Sequence, residues 1–283
     1  MKFKLLKEKC DYFRSISDYR LVPNSYIIAM LDGRKFSSLI KNKYEKPFDN
    51  VFIDMMNETA KYLLQNIQGA KFAYVQSDEI SILITDFDTP QTDAFFSYRL
   101  CKMQSIMASM AASKFNQLAL RNEIMKTCYT PELTTYDTLK HIDKVITGKK
   151  LVEFDCKCWN VPNANEAYCH FLWRQHDCVR NSKQQAAQTY LPHKSLVGLD
   201  TDAQVKLLLD EKGINWNDYE SGKKYGRLIT KELMQYHTLI KGEVVNYQRN
   251  EWIAHGARPF DEPDALRPLI DDIGKEIELL ELV

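Results

Sequence analysis

Phe72-Ala73-Tyr74-Val75-Gln76-Ser77-Asp78-Glu79-Ile80-Ser81-Ile82-Leu83-Ile84 is apolar on both sides of a short acidic break. It reads as two β-strands, Lys71–Val75 and Ile80–Thr85, with Ser77-Asp78-Glu79 at the hairpin. A surface hairpin tip usually carries Gly, Asn or Pro; this one carries adjacent carboxylates. Upstream, Tyr26-Ile27-Ile28-Ala29-Met30-Leu31-Asp32-Gly33-Arg34-Lys35-Phe36 reads as an apolar strand ending at Asp32. Two carboxylates delivered by neighbouring strands can clamp a pair of Mg²⁺ ions, the arrangement that phosphoryl and nucleotidyl transfer use. Gly33 allows a sharp turn and exposes its carbonyl as a further hard oxygen ligand. The competing reading is an ordinary Asp-Gly turn. Neighbouring strand residues face opposite ways, so one of Asp78 and Glu79 joins Asp32 and the other supports it. Asp78 is the expected ligand, with Glu79 pointing to the other face.

Working outward, residues 10–21 suit a helical lead-in and Phe36–Lys41 a helical turn, broken at Lys46-Pro47. Phe52, Met55, Met56, Thr59, Leu63 and Ile67 mark a helix from Asp49 to Ile67, ended by Gly69. A stripe of Phe96, Leu100, Met103, Met107 and Met110 predicts a second helix over Asp93–Leu120. Residues 121–150 read as an insertion or loop, and Leu151–Trp159 as a further strand. The resulting β-α-β-β-α-β order predicts an α+β fold with the antiparallel, ferredoxin-like sheet of a polymerase palm. Beyond it come a long helix over Glu166–Tyr190, another over Thr201–Asp210 capped by Thr201 or Asp202, a hairpin within Lys231–Val245, and a short acidic helix in Asp261–Val283. The expected organisation is a palm-like core over 1–160 and an α-helical C-terminal extension over 161–283 packed on it, possible as one compact domain.

The chain has 283 residues, with 38 Lys+Arg balancing 38 Asp+Glu, so a nucleic-acid site must be a local basic patch. Its seven cysteines form no CxxC pair, which points away from a disulfide scaffold and towards a reducing, cytoplasmic setting. Met1–Lys9 is basic without an apolar core, so neither a signal peptide nor a membrane span is expected. There is no Walker A loop, GxGxxG, HExxH or nucleophile elbow, and the six histidines lack metal-ligand spacing. Lys46, beside Pro47, can reach a triphosphate from a rigid turn. Arg99 and Lys102 share one helix edge, where solvated surface is the simpler reading. Arg174, Asp177, Asn181 and Gln185 share one face of the long helix, as a buried network or a binding face. Lys223, Lys224 and Arg227, near Tyr225, suit RNA phosphates or plain surface.

Taken in order, Asp32-Gly33-Arg34-x-Phe36, Lys46-Pro47-x-Asp49, Ala73-Tyr74-x-Gln76-Ser77-Asp78-Glu79, Phe154-Asp155, Trp173-Arg174-Gln175-x-Asp177-Cys178 and Gly213-Ile214-Asn215-Trp216-Asn217 resemble the histidine-tRNA guanylyltransferase family of 3'-5' polymerases. The resemblance implies activation of a tRNA 5'-end by ATP or GTP, then attack by the 3'-OH of an incoming NTP. It implies catalysis by Asp32, Asp78 and Glu79. Asp32, the Gly33 carbonyl and Asp78 would hold two Mg²⁺ ions. Asp32, Gly33, Arg34, Lys35, Phe36, Ser37, Ser77 and Asp78 would line the nucleotide site, and Lys46, Arg99 and Lys102 would contact triphosphate. Arg174, Asn181, Lys223, Lys224 and Arg227 are the tRNA-binding candidates, and the family is typically a homotetramer. Eukaryotic members carry His-Ile-Asn-Asn-Leu-Tyr-Asn after Asp-Cys. Here Val179-Arg180-Asn181-Ser182-Lys183-Gln184-Gln185 keeps only the Asn. That departure is similar to the guanylyltransferase-like branch, which repairs 5'-truncated tRNAs under template direction. Dedicated G addition to histidine tRNA is the alternative. A palm-type nucleotidyl cyclase lacks support, because its Gly-Gly-Asp/Glu signature is missing. A non-catalytic RNA-binding module is opposed by the intact Asp32 and Asp78.

Overall fold

The chain is described here from a computed structural model that covers residues 3–36, 43–89, 91–128, 134–148, 150–240 and 243–273. β1 (Tyr26–Arg34) is buried on both faces, because its residues alternate between two cores. Ile27, Ala29 and Leu31 belong to one, Ile28 to the other. The first is closed by α2 (Asn50–Asn66) and α3 (Leu100–Cys128), the second by α5 (Ala164–Tyr190). β2 (Ala70–Gln76), β3 (Glu79–Ile84) and β4 (Glu153–Val161) complete a sheet whose spatial order begins β4-β1-β3-β2, antiparallel at every pairing. This is the expected split βαβ arrangement.

Local chemistry sets the helix ends. The Asp49 carboxylate accepts the Phe52 N–H at 2.8 Å and starts α2. Its buried face holds Phe52, Met55, Met56, Leu63 and Leu64, each contributing roughly 1.5–3 kcal/mol. After α2, Gly69 has φ 79°, and a Cβ there would lie 2.1 Å from the Thr85 carbonyl oxygen, so only glycine fits.

Three stretches differ from the sequence expectation. The lead-in helix α1 lies earlier, at Phe3–Ser15, and buries nothing. Residues 121–150 are largely helical rather than a loop: Arg121–Cys128 contains no Gly or Pro to stop α3, and α4 (Thr135–Gly148) starts where the Thr134 hydroxyl accepts the Asp137 N–H at 3.2 Å. Residues 95–98 form a separate 3₁₀ turn with Phe96 and Ser97 at positive φ, so α3 begins at Leu100.

The C-terminal part adds strands as well as helices. Of β5 (Arg227–Ile240), only Arg227–Ile229 pair with β2; the rest runs on beside β6 (Glu243–Gly256) as a long hairpin. Cross-strand pairs such as the stacked Tyr236 and Tyr247 hold it. α6 (Thr201–Lys212) is capped by Asp200, which accepts the Ala203 N–H at 2.8 Å, and not by Thr201 or Asp202. In the tail, α7 spans Arg267–Asp271, and residues 274–283 of the expected acidic helix lie outside the described residues.

Candidate active site

Strand register assembles the acidic residues. Asp32 on β1 lies opposite Glu79 on β3 and opposite Asp155 on β4. Register partners share a face, so these three carboxylates stand together on the side covered by α5. Asp78 joins them from the two-residue turn between Gln76 and Glu79, where Ser77 takes φ 44°. The Gly33 N–H donates to the Asp78 carbonyl at 3.2 Å and ties the turn to β1. Glu79 therefore shares the face of Asp32, contrary to the expectation from strand alternation. Alternation fails here because Asp78 belongs to the turn and not to the strand.

Gly33 does not make the sharp turn expected of it. β1 continues through it to Arg34, and the bend comes at Lys35, with φ 61°. Glycine is needed because the Phe36 ring packs on its Cα; a Cβ would meet that ring at 2.2 Å.

The electrostatics follow from the crowding. Burial first, then the charges of Asp78, Glu79 and Asp155, push the Asp32 carboxyl up to about 6. Burial also raises Asp78, opposed by the Ser77 hydroxyl, which donates to its Oδ1 at 2.9 Å. Glu79 is compensated: Arg174 of α5 donates to its Oε2 at 2.5 Å and Gln76 at 2.6 Å. Arg174 also pairs with Asp177 at 2.8 Å and lies over the Trp173 ring. One turn away, His170 is held near 4 by burial and the Arg174 charge, packed edge-on among Trp159, Phe171 and Trp173.

The acidic end opens onto a cleft of about 560 Å³. Gly33, Lys35, Phe36, Lys46, Ser77, Asp78, Glu79, Asn181, Lys223 and Arg227 all line it, so much of the expected nucleotide and tRNA set converges. Phe36 does so as a core residue, 1% exposed. Other expected residues lie elsewhere. Arg34 pairs with Glu153 at the exposed rim at 2.8 Å. Arg174 is buried in its carboxylate network and offers no RNA-facing surface. Lys224 donates to the Asn217 carbonyl at 2.6 Å and packs over Trp216 and Tyr225. Lys223, Lys224 and Arg227 thus form no common exposed patch. Arg99 pairs with Asp18, and the chain around it bonds to Tyr19 and Leu21, which precede β1. Lys102 sits over Phe96. Both lie at the end of the sheet opposite Asp32. Ser37 lies outside the described residues. Asp155 was not singled out from sequence for this site; its Phe154-Asp155 match is a weak signal until β4 is known to pair with β1.

The family described as tRNAHis guanylyltransferase, Thg1, matches residues 8–162, more than half of the chain. The chain belongs to the Thg1 family. It is a nucleotidyltransferase of that family. A solved bacterial tRNA(His) guanylyltransferase (Thg1)-like protein in complex with ATP is 31% identical, with a TM-score of 0.74 over 94% of this chain and 98% of that one. A bacterial Thg1-like protein in complex with GTP is 28% identical, with a TM-score of 0.69 over the same shares. An uncharacterized protein of Acanthamoeba polyphaga mimivirus is 29% identical over 84% of this chain and 80% of its own. The tRNA(His) guanylyltransferase of Kluyveromyces lactis is 26% identical over 86% and 94%. The Thg1 match contains Asp32, Asp78, Glu79 and Asp155, and the likeness to the bacterial structures covers 94% of the chain. Among the described residues, no helix is long and apolar enough to cross a membrane.

Proposed function

We propose that this Thg1-family enzyme adds nucleotides to tRNA 5'-ends in the 3'-5' direction, copying the opposite strand of the acceptor stem, as in repair of 5'-truncated tRNA. The observation that carries the template-directed reading is the composition of the cleft at Val179–Gln185. The segment lines the cleft with Asn181, Ser182 and Gln185. Side-chain amides offer a donor and an acceptor and can serve any base edge, so they select no single base. Base pairing then becomes the source of specificity. The solved ATP and GTP complexes of bacterial relatives support nucleotide substrates for this chain as well.

Two Mg²⁺ ions suit the acidic end. Among the described residues, no three His, Cys, Asp or Glu side chains form a metal cage on their own. Mg²⁺ takes one or two carboxylates and completes its shell with water and substrate phosphate. Asp32, half-buried, and the surrounding carboxylates of Asp78, Glu79 and Asp155 are a donor set of hard oxygens that suits a divalent cation. Asp32, the Gly33 carbonyl and Asp78 would hold the ions, which activate the attacking oxygen and neutralise charge on the transferring group. The chain's own part is to fix these oxygens: Ser77 orients Asp78, and Arg174 with Gln76 anchors Glu79. Arg99 and Lys102 can contact a triphosphate only in the cleft of a neighbouring subunit, which a cytoplasmic homotetramer would supply. Activity regained on mixing Asp32→Ala with Lys102→Ala subunits is the check.

The deciding assay is single-turnover extension of four tRNAs that lack the first 5' nucleotide and differ only at the opposing base, each offered all four NTPs. The expected product is the complement in every case. Insertion of G on all four rejects the template-directed reading in favour of dedicated guanylyl transfer.

A further inference from the structure

Arg227 opens β5 and is only 7% exposed. It stands beside Val75 of β2 and Gly256 of β6, with its side chain towards α2. A guanidinium taken out of water costs several kcal/mol unless an anion accompanies it. Arg174, equally buried, has two carboxylates. Arg227 has none: among the described residues, no carboxylate pairs with it. Its Nε donates to Asn57 Oδ1 at 3.1 Å, its Nη1 reaches the Gly222 carbonyl at 3.4 Å, and its Nη2 has no partner. Asp54, one turn before Asn57 on α2, acts on it only through space. The side chain thus carries a full charge, one bond of ordinary length and one long one.

Arg227 also lines the cleft, together with Lys46 and Lys223. We propose that Arg227 is an anion-binding residue, and that its missing counter-charge is a phosphate group of the molecule held in the cleft. Planar guanidinium donors match phosphate oxygens, and a desolvated site strengthens the pairing. This rests on the cleft taking a phosphorylated substrate, as proposed above. The phosphate belongs either to a nucleoside polyphosphate or to an RNA 5'-end, and the chemistry is the same.

The test compares wild type with Arg227→Met and Arg227→Lys in EDTA, so that the acidic end contributes no metal-bridged binding. The measurements are thermal unfolding with and without pyrophosphate, and equilibrium binding of ATP, adenosine, and tRNA with a 5'-phosphate or a 5'-hydroxyl. Pyrophosphate is expected to raise the wild-type midpoint and leave that of Arg227→Met unmoved, while the unliganded variant unfolds no earlier than wild type. If the phosphate is the nucleotide's, ATP affinity falls at least ~tenfold in Arg227→Met, adenosine affinity is unchanged, and Arg227→Lys recovers part of the loss. If it is the RNA's, ATP affinity holds and the preference for 5'-phosphorylated over 5'-hydroxyl tRNA disappears. An Arg227→Met variant that keeps the pyrophosphate shift, the ATP affinity and the 5'-phosphate preference overturns the proposal, as does a variant that unfolds earlier yet keeps that shift. Wild type that binds neither ATP nor tRNA when Mg²⁺ is restored refutes the proposed function instead, and pyrophosphate still decides the role of Arg227.

Discussion

The turn between β2 and β3 and the start of β5 line the same cleft and leave opposite charges uncompensated. At the turn, Asp78 stands with Asp32 and Asp155, and their repulsion helps hold Asp32 near 6. At β5, Arg227 is buried with no carboxylate paired to it among the described residues. Nothing prevents such charges from pairing elsewhere in this protein: Glu79 and Arg174, from the same neighbourhood, neutralise each other at 2.5 Å. The difference teaches that charge left open at a cleft is a cost carried in the free enzyme and recovered on binding, with metal ions at one pole and phosphate at the other.

The comparison breaks if the acidic pole is dispensable. Replacing Asp32 or Asp78 by Ala is expected to reduce single-turnover nucleotide addition on the order of 10³-fold or more, with an unchanged circular dichroism spectrum. Near-normal turnover by either folded variant ends the metal-holding reading.

Glu79 separates the compensated pair from the open charges. Glu79→Ala strips a carboxylate from buried Arg174, so it should destabilise the fold by roughly 3 kcal/mol in urea denaturation. Asp32→Ala, which relieves repulsion, should not. Equal stability losses in the two variants would erase the distinction between the pair and the pole.

The pH dependence sharpens it further. A carboxyl whose folded value, about 6, lies above its unfolded value of 3.8 binds more protons in the folded state. Stability is then penalised fully above pH 6 and recovers as pH falls from about 6 towards 3.8. Asp32→Asn removes the penalty, so without divalent ions at pH 8 its unfolding midpoint should exceed wild type by a few °C, about 2–4, and the gap should close near pH 4. A gap that does not vary with pH would assign the effect to packing.

The smallest effect is expected at the lysines outside the buried poles. Changing Lys223 and Lys224 together to Ala should lower the salt slope of tRNA affinity by about one unit rather than two, because the Lys224 ammonium is already committed to the Asn217 carbonyl. A drop near two would show that Lys224 leaves that carbonyl to meet phosphate.

Much of this was legible along the chain, because the signals are local. The apolar runs of Tyr26–Leu31 and of the strands around Ser77-Asp78, the stripe on α2, and the unusual acid pair at a hairpin all act over a few residues. Glu79 and Asp155 were harder, because their positions depend on where a two-residue turn falls and on which strand lies next to β1. The β5–β6 arm was legible only as a hairpin within Lys231–Val245; its full length, from Arg227 to Gly256, was not, because beyond Ile229 its strands pair only with each other and stay largely exposed or half-exposed, so the pattern carries little of the apolar alternation by which strands are recognised.

By itself the sequence determined the palm order of strands and helices, the carboxylates at Asp32 and Asp78, and membership in a family whose motifs are contiguous, since propensity, burial pattern and turn chemistry are properties of neighbouring residues. Only the tertiary structure decided which charges are paired. In sequence Arg174 stands between Trp173 and Gln175 and Arg227 between Gly226 and Leu228, and neither setting says whether a carboxylate is near. Register, helix packing and burial give one of them two carboxylates and leave the other open to the cleft, because the worth of a charge depends on what the fold brings within a few ångströms of it.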